Sequence, residues 1–260
     1  MGLDVGELGA RSIMRLIATV LGCCIVAAAS SAVAKEFVII ASDNVNAELS
    51  PGTPLRAGQK LSLPKGAVLT ILAESGKVIR LRGPYSGQLT GKSANGSGRS
   101  LQAVGKIVKR RTSQSPTIGA TRSTRRHKNR AMPDILKNIW TVRLARSEPA
   151  CVNIQESVLW RRSTRNDATV AIWPDSGTPR HIQWPSGQPT VRLPADALIS
   201  IQRLSVLKGS RSTDIMVSIL PTDFALADRG RLLQWLAEKG CNDQARRLID
   251  ELHAGAAGRQ

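Results

Sequence analysis

The sequence predicts a mainly β fold, with an N-terminal antiparallel β-module, a second β-sandwich and a C-terminal helical hairpin. Only 3% of the 260 residues are aromatic, while 22 are Gly and 13 are Pro. That balance favours short strands and turns over long helices. Apolar and polar residues alternate in short runs from residue 60 to 82 and again from 139 to 220, and beyond 222 the period becomes helical. The length accommodates two modest domains.

The one long apolar run is LIATVLGCCIVAAASSAVA, residues 16–34. Arg11 and Arg15 precede it and Ala32-Val33-Ala34 closes it. A basic start, an apolar stretch and an A-x-A end are the parts of a secretory signal peptide, so residues 1–34 are expected to be a signal cleaved after Ala34. An uncleaved membrane anchor is the alternative, since the run is almost long enough to span. A minor variant is a lipoprotein acylated at Cys23 of VLGC.

Residues 35–92 read as the first β-domain. Leu61 and Leu63 alternate with Lys60 and Ser62, and Pro64-Lys65-Gly66 turns the chain. Ala67 to Ala73 is apolar on both faces, as in an inner strand, and Glu74-Ser75-Gly76 forms a hairpin into residues 77–82. There Ile79 and Leu81 are expected inward and Arg80 and Arg82 outward. The whole reads as a small antiparallel meander.

Leu55, Gly58, Leu61, Leu63, Pro64, Gly66, Ala67, Leu69, Leu72, Gly76, Lys77, Leu81, Gly83 and Pro84 together form a pattern of turns and core positions. It resembles the FecR-like β-domains of bacterial periplasmic proteins, over residues 35 to about 90. The resemblance implies an exported β-module, periplasmic or secreted. A membrane-anchored FecR-type signalling regulator, held by an uncleaved residue 16–34 run, is the alternative function.

Residues 93–135 read as a basic helix and linker. Leu101, Val104, Ile107 and Val108 fall on one side of a short helix over about 100–111. SQSPTIGATRSTRRHKNRAMP then lacks periodicity and reads as an interdomain linker. The net charge is +18, and every charged residue between Glu74 and Asp134 is basic. The candidates for polyanion binding are Arg80, Arg82, Lys109, Arg110, Arg111, Arg122, Arg125, Arg126, Lys128 and Arg130. The bland reading of the same charges is a solvated linker.

Residues 136–221 read as an immunoglobulin-like β-sandwich. Strand candidates WTVRL, SVLWRR, ATVAIW, HIQW, TVRL, ALISIQRL and DIMVSIL recur at sandwich spacing, without the Cys-Trp-Cys pattern of a true immunoglobulin domain. Ile199 and Ile201 alternate with Ser200 and Gln202, as do Ile215, Val217 and Ile219 with Met216 and Ser218.

Residues 222–260 read as the helical hairpin. Leu232, Leu233 and Leu236 share one helical face, with Asp223 or Asp228 as cap and Gly240 as stop. Ala245, Leu248, Ile249 and Leu252 share the next, capped by Asn242 or Asp243. With residues 1–34 removed, two cysteines remain, and export favours a Cys151–Cys241 disulfide clamping the hairpin to the sandwich. Two separate buried thiols are the alternative.

No catalytic set emerges. His127, His181 and His253 lack metal-ligand spacing, and His181 reads as a strand-surface residue rather than a base. NGSGRS lacks the context of a phosphate loop. The five Trp read as core packing rather than sugar platforms. No cofactor and no metal site is expected, and an enzyme, with a site assembled only in three dimensions, is the weaker class. The expectation is a non-enzymatic exported envelope protein, a binding or assembly module whose partner is an anionic envelope component or another protein. Nucleic acid is disfavoured because no aromatic interleaves the charges from Gly91 to Arg130.

Overall fold

The structure, a computed structural model, describes residues 36–90, 98–113, 134–144 and 148–254. The expected signal, residues 1–34 with Cys23, lies outside the described residues, as do Arg122, Arg125, Arg126, Lys128 and Arg130. The fold is mainly β, with antiparallel and mixed sheets joined to helices.

The first part contains β1 (Glu36–Asp43), β2 (Pro54–Arg56), β3 (Lys60–Leu63), β4 (Val68–Ala73), β5 (Val78–Arg82) and β6 (Tyr85–Gln88). β2, β1, β4 and β5 form one antiparallel sheet in that order, while β3 pairs only with β6. The sequence expectation of a simple meander is therefore corrected. Consecutive strands β3 and β4 belong to different sheets, and the chain returns to β3 after β5. Gly83 makes that return possible, because a Cβ there would lie 1.8 Å from the Pro64 carbonyl oxygen. β4 is the inner strand its two apolar faces predicted. Phe37, Ile39, Leu69 and Ile71 pack against Leu55, Leu61 and Leu63 on one side, and Val38, Ile40 and Leu72 face helices on the other.

Helix α1 (Gly98–Ser113) covers this second face. Leu101, Val104, Ile107 and Val108 are all buried, as their spacing predicts. Gly52, with φ of +88°, lets the helix come close, since a Cβ there would sit 2.5 Å from Lys109 Cγ and 3.0 Å from the Gly105 carbonyl oxygen.

The second β-region comprises β7 (Thr141–Arg143), β8 (Ala150–Val152), β9 (Val158–Trp160), β10 (Ala168–Pro174), β11 (Arg180–Trp184) and β12 (Thr190–Arg192). The short helix α2 (Ala195–Leu198), β13 (Ile201–Lys208) and β14 (Arg211–Ile219) follow. A five-stranded sheet runs β11-β10-β13-β14-β8 and a three-stranded sheet runs β12-β9-β7. Their shared core includes Val142, Leu159, Val170, Ile172, Trp184, Leu204 and Ile215. Most pairings are antiparallel, but β14–β8 and β7–β9 are parallel. Ile199, expected in a strand, is 68% exposed beyond the end of α2, and the strand begins only at Ile201. Pro194 opens a helical turn there, which takes the backbone out of the extended state.

The tail forms α3 (Arg229–Glu238) and α4 (Asn242–Ala254). Asp228 caps α3, accepting from Arg231 N at 3.0 Å, and Gly240, at φ +73°, ends the turn. Leu232, Leu233 and Leu236 of α3 join Ala245, Leu248 and Ile249 of α4 in one cluster with Val38, Ile40 and Leu72 of the first sheet. Residues of α1, with Ile139, Trp140, Cys151 and Leu220, belong to the same cluster. The hairpin is thus packed against the N-terminal sheet as well as fastened to the second β-region.

Candidate functional site

Three buried connections fix the hairpin. Cys151 on β8 and Cys241 in the α3–α4 turn form the expected disulfide, with Cα atoms 5.8 Å apart and a sequence separation of 90. Closing so long a loop contributes about 4 to 5 kcal/mol in the chain-entropy account. Gln244, three residues on, treats β8 as a neighbouring strand would. Its Oε1 accepts from Cys151 N at 2.8 Å, and its Nε2 donates to the oxygens of Cys151 at 2.7 Å and Ile139 at 2.9 Å. Gln234 on α3 donates to the Ala73 and Glu74 carbonyls at 3.2 and 3.0 Å.

Arg247, one turn further along α4, is buried and gathers the segment leading into β7. Its guanidinium donates to the carbonyls of Leu136, Asn138 and Thr141 and to Asp243 Oδ2. Burial pushes its pKa down to about 10, and Asp243 works against that shift while nearby Arg143 adds to it. It stays charged at neutral pH, held by oxygens in place of water.

A recess of about 270 Å³ opens beside this arrangement, between the first turn of α4 and the outer face of β7 and β9. Arg143, Glu148, Trp160, Arg162, Asp243 and Arg247 carry its polar and aromatic wall. Arg143 and Trp160 are register partners across the parallel β7–β9 pair, so they stand side by side. Asp243 Oδ2 lies 3.1 Å from Arg143 Nε and 3.2 Å from Arg247 Nη2. Sequence reasoning missed this site. LWRR at 159–162 does carry a signal, alternating Leu159 and Arg161 inward with Trp160 and Arg162 outward.

Arg161 is the inward member. It is 7% exposed, donates to the carbonyls of Asn166, Trp184, Pro185 and Gln188, and lies over the Trp184 ring at 4.7 Å. Burial lowers its pKa, and the Asp167 charge counteracts the shift. It organises the turn beyond β11 rather than any open surface.

The predicted basic residues divide. Lys109 and Arg110 are exposed on α1, together with Arg99 and Lys106, within a stripe of about 100° on a helix that has no acid. Arg111 lies on α1, outside the residues whose side chains are described. Arg82 is exposed on β5, at the opposite edge of the sheet from β2. Arg80, expected to point into solvent, is half-buried instead, because the face it shares with Val78 is the one covered by helices.

Trp140 and Trp184 are core residues, whereas Trp160, Trp173 and Trp235 are half-buried. Trp173 stacks under Arg203 at 4.7 Å and donates to Ser205 Oγ at 2.9 Å. His181 is exposed on β11, a strand-surface position. His253 Nε2 is 3.2 Å from Asp43 Oδ2, tying the end of α4 to the end of β1. Among the described residues no group of three or more His, Cys, Asp or Glu could hold a metal ion, and no helix is long and apolar enough to cross a membrane.

Comparison with family models, with curated proteins and with solved structures gives no match.

Proposed function

We propose that the chain is a non-enzymatic exported envelope protein that holds an anionic envelope component through α1 and the basic run that follows it. The observation that carries the reading is the anchoring of α1. Its four apolar positions are locked into the central core, so Arg99, Lys106, Lys109 and Arg110 are presented on a fixed helix. A fixed row of cations loses less entropy on binding a polyanion than a mobile one does. Lys106 and Lys109 also border a recess of about 210 Å³ shared with Glu36, Phe37, Val38 and Pro54, which gives the charged face an apolar floor. The resemblance of residues 35 to about 90 to FecR-like β-domains, and the signal-like residues 1–34, support placing this surface in the periplasm or outside the cell.

Retention of the purified protein on outer-membrane and peptidoglycan fractions tests the proposal. Binding should weaken steeply between about 50 and 500 mM salt, as counterion release requires. Replacing Lys106, Lys109 and Arg110 together by Gln should lower the slope of log affinity against log salt by up to about 3, without unfolding the protein. Salt-independent retention, or a triple variant that behaves as wild type, refutes it. Mass spectrometry of the exported protein separates this reading from a membrane-anchored regulator, because a mature N-terminus at Lys35 leaves no anchor.

A further inference from the structure

The recess under the first turn of α4 shares no lining residue with the one beside α1, so what it does is independent of the reading above. We propose that it binds a small ligand bearing a single carboxylate, with Arg162 and Arg143 taking the carboxylate and the Trp160 indole covering its apolar part.

Three features argue for that ligand. The first is an incompletely engaged cation. Arg143 lines the recess with a side chain 28% exposed, and its Nε lies 3.1 Å from Asp243 Oδ2 without the geometry of a hydrogen bond. Asp243 is divided between two guanidiniums, so Arg143 retains capacity to pair with an incoming carboxylate. The second is charge. Three guanidiniums, Arg143, Arg162 and Arg247, face two carboxylates, Asp243 and Glu148. Arg247 is already engaged by backbone carbonyls, and Asp243 is shared between it and Arg143. The exposed Arg162 is left at the mouth as the accessible cation. The surplus is one positive charge, and the two acids would repel a dianion or a polyanion, so the recess selects a monoanion. The third is size and shape. About 270 Å³ is at the small end for ligand sites, and one wall is the half-buried Trp160 ring, suited to an apolar face of the ligand.

Such a carboxylate could be the C-terminus of a short peptide or the acid group of a sugar acid. The two are distinguished by titrating N-acetyl-alanyl-alanine and glucuronate, each alongside its neutral amide, into labelled protein. The readout is the Trp160 indole N–H resonance, assigned by its loss in Trp160→Phe. The expected result is a saturable shift with at least one carboxylate and none with the amides, the tighter of the two identifying the source. Arg162→Gln should weaken that binding on the order of tenfold, the worth of one charge-assisted contact, while leaving retention on envelope fractions unchanged. Silence of Trp160 toward both carboxylates, an equal response to the amides, tighter binding of inorganic phosphate, or an unaltered affinity in Arg162→Gln would each overturn the proposal.

Discussion

Replacing Gln244 by Ala removes three hydrogen bonds from a buried site. The residue is 4% exposed, and its partners are the backbone N–H and C=O of Cys151 and the C=O of Ile139, at 2.8, 2.7 and 2.9 Å. Each such bond contributes about 1 kcal/mol net, and orphaning the Cys151 N–H adds a desolvation penalty, so the loss should be about 3 to 4 kcal/mol. For a protein of this size that corresponds to a fall in Tm of about 6 to 16 °C. Urea unfolding should show a lower midpoint at unchanged slope, because the disulfide beside the site keeps the unfolded chain equally constrained. Gln244→Glu sharpens the test. An ionised carboxylate would face two carbonyl oxygens, so burial must raise the carboxyl pKa in the folded state above its unfolded value. The folded variant then binds more protons than the unfolded chain, and its stability should rise as pH falls from about 7 to about 5. A loss below about 1 kcal/mol for the Ala variant, or a pH-independent Glu variant, would refute the view that this amide holds α4 to β8.

Two further expectations follow from close contacts and surface pairs. Gly230→Ala would place a Cβ 1.6 Å from the Gly76 carbonyl oxygen and 3.0 Å from Leu72 Cδ1; helix propensity alone predicts a gain of up to about 1 kcal/mol, whereas the contact predicts a loss of about 3 kcal/mol, and the sign of the midpoint shift in urea decides. Asp196 accepts from Arg180 Nη1 at 2.6 Å, which holds its carboxyl below the usual range. That contribution is present above the unfolded pKa of about 4 and lost as pH falls through the lower folded value, so the Tm difference between Asp196→Asn and wild type should shrink as pH falls below about 4, and a difference constant with pH would contradict it.

The elements most legible in the sequence were those whose own pattern decides them. α1 is written in Leu101, Val104, Ile107 and Val108, and the hairpin in its leucines, Asp228 and Gly240. The disulfide followed from counting cysteines once the expected signal was set aside. β8 was not legible, because three residues around Cys151 become a strand only through parallel pairing with β14, some 65 positions away along the chain. The β3–β6 pairing was likewise hidden, since local order favours neighbours and the crossing depends on a missing side chain at Gly83. Alternation separates Arg161 from Arg162 but does not say which one enters the protein. Arg247 looked like one more polar position on an amphipathic helix. It is buried because carbonyls between residues 136 and 141 need a donor, and nothing in its own segment announces them.

The central core imposes an order on the making of the protein. Val38, Ile40 and Leu72 precede their covering residues on the hairpin, Leu232 to Ile249, by about 160 positions or more. An emerging chain therefore carries a partly covered apolar sheet face, with α1 on it, until the hairpin has been made. The first sheet therefore finishes its core only once residues 232–249 have joined it. Loss of residues 229–254 would strip the first strands as surely as the two helices.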